Sequence, residues 1–266
     1  MKILKYVALA VTVVLLAYQF ADAGWDWERV RGNKQMTSKE ISLEKFDEVF
    51  LASQGAAYIE SGSENKIIIE GEENILAHIE VEVRGHRLVI ETEEGFNIEP
   101  RMTLKYRITT TQSLEQLTTG SSGDIFATLL KNDQISLSIL SSGDIEVEDI
   151  DAKNIEVSSN SSGDVKLKHV KAEIFEARIN SSGDIIVSEG NVVEQDIRIN
   201  SSGDFRAINV ASEEAYVKIN SSGDVHINVS DYLRVRSNSS GDVRLLGNPK
   251  IDSNMNSSGK IQRASI

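Results

Sequence analysis

Apolar and polar residues alternate along most of the chain, and from residue 121 onward the alternation is locked to a recurring tetrapeptide, Ser-Ser-Gly-Asp. Copies or close variants begin at Ser121, Ser141, Ser161, Ser181, Ser201, Ser221, Ser239 and Ser257, which gives five intervals of 20 residues and then two of 18. One residue after the Asp stand Ile125, Ile145, Val165, Ile185, Phe205, Val225, Val243 and Ile261. Two further on come Ala127, Val147, Leu167, Val187, Ala207, Ile227 and Leu245. A second alternating stretch precedes each tetrapeptide, as in Ile155-Glu156-Val157, Ile197-Arg198-Ile199 and Val217-Lys218-Ile219. Side chains change face with period two along a strand, so each repeat predicts two short strands. Shortening a repeat by two residues leaves its inward set pointing inward.

Repeats of this kind stack in parallel, like residue above like at about 4.8 Å, and turn every column of the alignment into a ladder. The expected fold is therefore all-β: a parallel β-solenoid (β-helix) with rungs of about 20 residues. Right-handed winding is expected from the usual sense of strand, crossover and parallel strand. Volume compensation fits a bore of constant width, because Phe205 is followed by Ala207 and Phe175 by Ala177. The nearest rival is a leucine-rich repeat, since residues 155–160 satisfy L-x-L-x-x-N. Ser-Ser-Gly-Asp then stands where x-L should follow, and a strand replaces the helical return. Propeller blades need about twice this period, and calcium-binding rolls need G-x-D with a period of about nine.

Residues 41–120 keep the same alternation with less regular letters, interrupted near Pro100, and are expected to form degenerate rungs of the same domain. The domain would then run from 41 to 266, with regular rungs over 121–266. Residues 24–40, with Trp25 and Trp27, are expected to cover the open N-terminal end, since exposed strand edges recruit other strands. At the far end Lys260 and Arg263 place charge on the last edge. Residues 1–23 read as a signal peptide: Lys2 and Lys5, an apolar run from Tyr6 to Leu16, then Ala21 and Ala23 as a cleavage signal. The expectation is an exported chain in the periplasm, at the cell surface or outside the cell, with no transmembrane segment after cleavage.

Composition narrows the functional classes. Cysteine is absent, which removes disulfide staples and a lipid-modified cysteine at the cleavage site. A formal charge of −13 disfavours nucleic acid and anionic lipid as partners, because both are polyanions.

If the apolar columns face inward, alternation turns the Asn, second Ser and Asp of N-S-S-G-D outward, with the first Ser inside and the glycine at a corner. Gly123, Gly143, Gly163, Gly183, Gly203, Gly223, Gly241 and Gly259 are the expected corner glycines, tolerating the backbone angles of a corner where a Cβ would clash. The carboxylates pose an electrostatic problem, since like charges about 4.8 Å apart repel by about 0.9 kcal/mol in water and about 3.5 at an effective dielectric near 20. Backbone N–H groups, the bases Lys166, Arg206 and Arg244, or a bound calcium ion could offset it. Asp144, Asp164, Asp184, Asp204 and Asp224 are thus the candidate ligand or calcium face, and calcium is the single cofactor the letters suggest.

Other signals are weaker. The N-S-S triplets at Asn160, Asn180, Asn200, Asn220, Asn238 and Asn256 match a glycosylation acceptor, but glycans on adjacent rungs would collide, so a ladder of amide hydrogen bonds is expected. His78, His86, His169 and His226 show no metal-binding spacing. The run beginning at Gly120 fails G-x-S-x-G because Asp124 takes the last glycine position. No catalytic residue is singled out.

The signal peptide, the segment WDWERVRG at 25–32, the long stretch from ISLEKFDEVFL to RLVIETE at 41–93 and the repeated Ser-Gly-Asp-Ile/Val together resemble the head GIN domain family of auto-transporter adhesins. The resemblance implies an exported bacterial β-solenoid with adhesive or cell-envelope association, and it brings no catalytic residues. The chain ends within a rung at Ile266 without the amphipathic strands of a membrane barrel, so secretion through a barrel of its own is not expected. The expected function is a non-enzymatic adhesin or envelope scaffold contacting glycan or an envelope or surface protein through repeated faces. The rival is a polysaccharide-active lyase or hydrolase of β-helix type, which would require a unique carboxylate cluster.

Overall fold

A computed structural model describes residues 27–256 and 258–264; the expected signal peptide, Trp25 and Ser257 lie outside the described residues. Strand accounts for 65% of the structure and helix for 2%, and stacked parallel coils form a β-solenoid of about 7 turns.

At the N-terminal end the chain forms β1 (Glu28–Arg31), β2 (Met36–Ser42), β3 (Glu48–Ala52), β4 (Ala56–Ser61), β5 (Lys66–Glu72), the one-turn helix α1 (Glu73–Leu76), β6 (Ile79–Arg84), β7 (Arg87–Thr92), β8 (Phe96–Glu99) and β9 (Lys105–Thr110). The regular coils follow as β10 (Gln116–Thr119), β11 (Asp124–Ile139), β12 (Ile145–Ser159), β13 (Val165–Lys171), β14 (Ile174–Ile179) and β15 (Ile185–Asn191). They continue as β16 (Glu194–Ile199), β17 (Phe205–Ile219), β18 (Val225–Ser237), β19 (Val243–Leu246), β20 (Lys250–Met255) and β21 (Ile261–Arg263). The long strands β11, β12, β17 and β18 bend midway and serve both faces of the tube.

Register follows the repeat. Ile125, Ile145, Val165, Ile185, Phe205, Val225, Val243 and Ile261 pair one above another. All but Ile261, on the last coil, are fully buried. On the other face Leu137, Val157, Ala177, Ile197, Val217 and Val235 form the facing column. Leu130, Ile150, Val170 and Val210 fill the bend between faces. The phenyl rings of Phe175 and Phe205 approach to 6.0 Å across the bore, each relieved by an alanine two residues on. The step from 20 to 18 residues falls on this bend: Ala207 pairs with Ile227 and Ala215 with Leu233, and the register slips only between them. The strands therefore keep their inward faces, as period two requires.

Residues 41–120 depart from a simple series of degenerate rungs. The β3–β4 coil lies between β10–β11 on one side and β7 and β9 on the other, all parallel. The chain thus enters the stack one coil inside its end, travels outward, and crosses back. Beyond this, β2, β5 and β9 pair antiparallel on one face, and β6 and β7 on the other. An outermost coil has no further coil to complete its backbone hydrogen bonds, and an antiparallel neighbour can be supplied by a tight hairpin where a parallel one needs a full crossover. Gly85, at φ +69°, makes the tight turn between β6 and β7.

The segment expected as a cap splits in two. Strand β1 pairs with β8 in a separate two-stranded sheet, and β2 lies along the edge of β5. Glu72, 1% exposed, fastens it: its carboxylate accepts the N–H groups of Lys34 at 2.6 Å, Arg101 at 2.7 Å and Met102 at 3.2 Å. Burial works to raise its pKa, but those three N–H bonds, with the Arg101 charge, hold it below the usual carboxylate value. Tyr106 anchors the coil below, its buried hydroxyl donating to the Gln54 carbonyl at 3.0 Å and lying 3.2 Å from the Ser53 hydroxyl. Burial pushes the Tyr106 pKa upward, so the phenol stays neutral and remains a donor.

Candidate binding faces

The Ser-Ser-Gly-Asp units align into one corner running the length of the regular coils. In the six coils from Gly143 to Gly241 the first Ser is half-buried, the second Ser exposed, the glycine buried and the Asp half-buried; the preceding residue is exposed in all six, Leu140 in the first and Asn in the other five. The expected order is thus corrected at two positions: the glycine occupies the inside and the first Ser does not. The glycines also act for a different reason than corner dihedrals, since none of them has positive φ. A Cβ added at Gly143, Gly163, Gly183, Gly203, Gly223 or Gly241 would lie closer than 3.0 Å to the carbonyl oxygen of the glycine one coil earlier. At Gly123 it would meet the Ser53 carbonyl, and at Gly259 the Gly241 carbonyl. The column is backbone packed on backbone, and a side chain there would wedge two coils apart.

The carboxylate column resolves its repulsion by pointing along the stack. Asp144 N–H donates to Asp124 Oδ1 at 2.9 Å, and the same bond recurs from Asp164 to Asp144, Asp184 to Asp164, Asp204 to Asp184, Asp224 to Asp204 and Asp242 to Asp224 at 2.8–2.9 Å. Lys260 N–H closes the series on Asp242 at 2.9 Å. A hydrogen bond to a charged group contributes about 1.5–3 kcal/mol, enough to offset repulsion between half-buried neighbours. Bases enter at every second coil. Lys166 lies 3.2 Å from Asp144 and 3.7 Å from Asp164, and Arg206 lies 2.6 Å from Asp184 and 2.7 Å from Asp204. Burial works against the Lys166 ammonium, but Asp144 and Asp164 outweigh it and raise its pKa above the ordinary lysine value. Among the described residues no three His, Asp or Glu side chains converge to hold a metal ion, and in the Asp144–Asp224 column one carboxylate oxygen of each Asp accepts the amide of the following coil.

The Asn column forms the expected amide ladder: Asn180 donates to Asn160 at 2.8 Å, Asn200 to Asn180 at 2.8 Å and Asn220 to Asn200 at 2.7 Å. The histidines stand apart. His78 packs on the Phe96 ring at 4.0 Å and meets Glu93 at 2.8 Å. His169 lies between Asp149 at 3.1 Å and Glu189 at 2.7 Å on adjacent coils, and His86 is exposed in the β6–β7 turn. Burial first, then Arg244 and Arg206, keeps the His226 pKa below the ordinary imidazole value.

Two outward features escape a reading that follows the apolar columns. On the face after the corner, the rings of Tyr58 and Phe126 stack at 5.1 Å beside a groove of about 370 Å³ lined also by Glu60, Arg107, Glu146 and Glu148. On the face before it, Tyr216, Tyr232 and Arg234 cluster at a groove of about 380 Å³. The signal for the second was present in the alignment, because Tyr216 and Arg234 occupy the outward position that Glu156, Glu176 and Asp196 hold in earlier coils.

Fold and faces together define a parallel β-solenoid with laddered polar surfaces. The family model described as "Putative auto-transporter adhesin, head GIN domain" matches residues 45–249, and the chain belongs to that family. No curated relative matches the sequence. Among solved structures, a "putative lipid binding protein" from Parabacteroides distasonis is similar at 22% identity and TM-score 0.81, covering 90% of this chain and 100% of the other. A "putative adhesin" from the same organism is similar at 20% identity and TM-score 0.80, covering 89% and 100%. A third, a "putative adhesin" from Parabacteroides merdae, is similar at 22% identity and TM-score 0.78, covering 90% and 100%. At these identities the likeness is one of fold. Among the described residues no helix is long and apolar enough to cross a membrane.

Proposed function

We infer that the protein is an exported, non-enzymatic binding scaffold of the bacterial envelope or surface, engaging glycan or protein along its outer faces. The observation that carries this reading is repetition at constant pitch: amide, carboxylate and charged columns recur coil after coil in register. A surface of identical groups at one spacing suits a polymer whose units also repeat, because each further contact adds to the first at high effective concentration. A catalytic site instead needs one constellation unlike its neighbours. The adhesin name of the family points the same way. The name of one structural neighbour raises a lipid ligand, but among the described residues the bore is filled by packed apolar columns, which favours a ligand on the outer faces.

The test is to incubate the purified mature protein with cell-envelope fractions and a panel of acidic and neutral glycans, scoring retention and the release of reducing or unsaturated ends. Retention without release is the expected outcome. Accumulation of new chain ends would transfer the protein to the polysaccharide-active enzymes, and failure to retain any fraction or glycan would end the scaffold reading. Fractionation of native cells checks export, with the protein expected outside the cytoplasm.

A further inference from the structure

On the face before the corner, cations are answered by carboxylates two residues earlier on the same strand. Arg178 meets Glu176 at 2.6 Å and Arg198 meets Asp196 at 2.5 Å. In the next two coils that answering position holds Tyr216 and Arg234, and the pairing lapses. Lys218 has no ion pair among the described residues, and Arg234 and Arg236 share Asp252 at 3.2 and 2.9 Å. The rings of Tyr216 and Tyr232 meet edge to face at 6.2 Å, with the Arg234 guanidinium 5.7 and 5.6 Å from their centroids. Arg234 is further fixed by the Tyr232 hydroxyl at 3.0 Å. The groove here is lined by four cations, Arg198, Lys218, Arg234 and Arg236, against two carboxylates, Glu194 and Asp196. With Asp252 behind the arginines and Glu214 accepting the Tyr216 hydroxyl at 2.7 Å, charge here is balanced on a chain whose net charge is −13.

We propose that this groove is a subsite for an anionic sugar unit, a pyranose bearing a carboxylate or sulfate, in an acidic polysaccharide. It deepens, and rests on, the glycan-binding reading above. Lys218 supplies an ammonium not already spent within the fold, and Arg236 and Arg234 add a second charge beside it. The partly exposed Tyr216 ring offers an apolar surface to the C–H groups of a sugar, which a simple anion or an acidic peptide does not require. Because Arg234 is held by two rings and a carboxylate before any ligand arrives, little side-chain freedom is lost on binding.

The mature protein is passed over immobilised polygalacturonate, dextran sulfate, neutral dextran and polyglutamate at low and at physiological salt. Retention on at least one of the two anionic polysaccharides is expected, and which one distinguishes carboxylate from sulfate. The Lys218→Ala/Arg234→Ala pair should weaken it by about tenfold or more with an unchanged melting temperature, whereas Lys218→Arg should keep it. Tyr216→Ala should weaken polysaccharide binding without creating a preference for polyglutamate. Equal retention on neutral dextran or on polyglutamate, indifference to the double substitution, or no retention on either anionic polysaccharide would each overturn the proposal. If the protein still holds to envelope fractions in the last case, the scaffold reading stands and only the subsite falls.

Discussion

The regular coils after residue 120 and the N-terminal region before it reach the same cross-section by different means. In the coils, each backbone and carboxylate group is completed by its counterpart one coil away, so a single solution is reused from Asp124 to Lys260. In the N-terminal region the contacts are individual: Glu72 gathers three N–H groups from two loops, Tyr106 reaches Ser53 and Gln54, and antiparallel strands pair with the outermost parallel coil. Repetition makes an interior cheap to specify but leaves its ends unspecified, and the end is where one-off contacts gather.

The two regions should differ most in their response to a methyl group placed in the glycine column. Gly183→Ala would press a Cβ on the Ser159 Oγ and on the Gly163 carbonyl, backbone that cannot move without parting two coils. A loss of about 3 kcal/mol or more is expected in urea denaturation. Gly85→Ala in the N-terminal hairpin has no atom within 4 Å and only its φ of +69° to strain, so about 1 kcal/mol is expected. Comparable losses at the two sites would mean the column is not a tight contact.

The N-terminal end is expected to fail first in acid. The Glu72 pKa is lower in the folded chain than the ordinary carboxylate value of about 4.3. Its contribution is therefore complete above that value and is lost as pH falls through the folded-state pKa. Hydrogen exchange should show the Lys34, Arg101 and Met102 amides opening before those of Asp184 and Asp204, and Glu72→Gln should bring that opening to neutral pH. Simultaneous opening of all five would show that the two regions are not separately held.

A smaller effect separates charge from hydrogen bonding within the ladder. Asp184→Asn keeps an acceptor for the Asp204 N–H and gives up only the partly exposed ion pair with Arg206, a change of about 1 kcal/mol or less. Asp184→Ala leaves that N–H without its partner and should cost about 1–3 kcal/mol. Equal melting temperatures for the two variants would place the value of the column in charge alone.

The stack was legible in the sequence because periodicity reports contacts between identical letters. Ile125 above Ile145 and Asn180 above Asn160 need no knowledge of the rest of the fold. The order of coils at the N-terminal end was not legible, since β3 and β7 pair through unrelated letters and no repeat marks the crossing back. Within the corner, alternation located the Asp but exchanged the inside position between the first Ser and the glycine, because the chain turns there and period two lapses. The Tyr216–Arg234 cluster was visible as a break in an outward column, a signal that appears only when polar positions are aligned with the same care as apolar ones.

The aspartate bonds all point one way: each carboxylate receives an amide from the coil made later, never from the one made earlier. A polypeptide emerging N-terminus first therefore always presents a waiting acceptor to its newest segment. One residue on, the polarity reverses: the Ile145, Val165 and Ile185 amides donate to the Asp carbonyl of the later coil, so each corner is stitched in both directions.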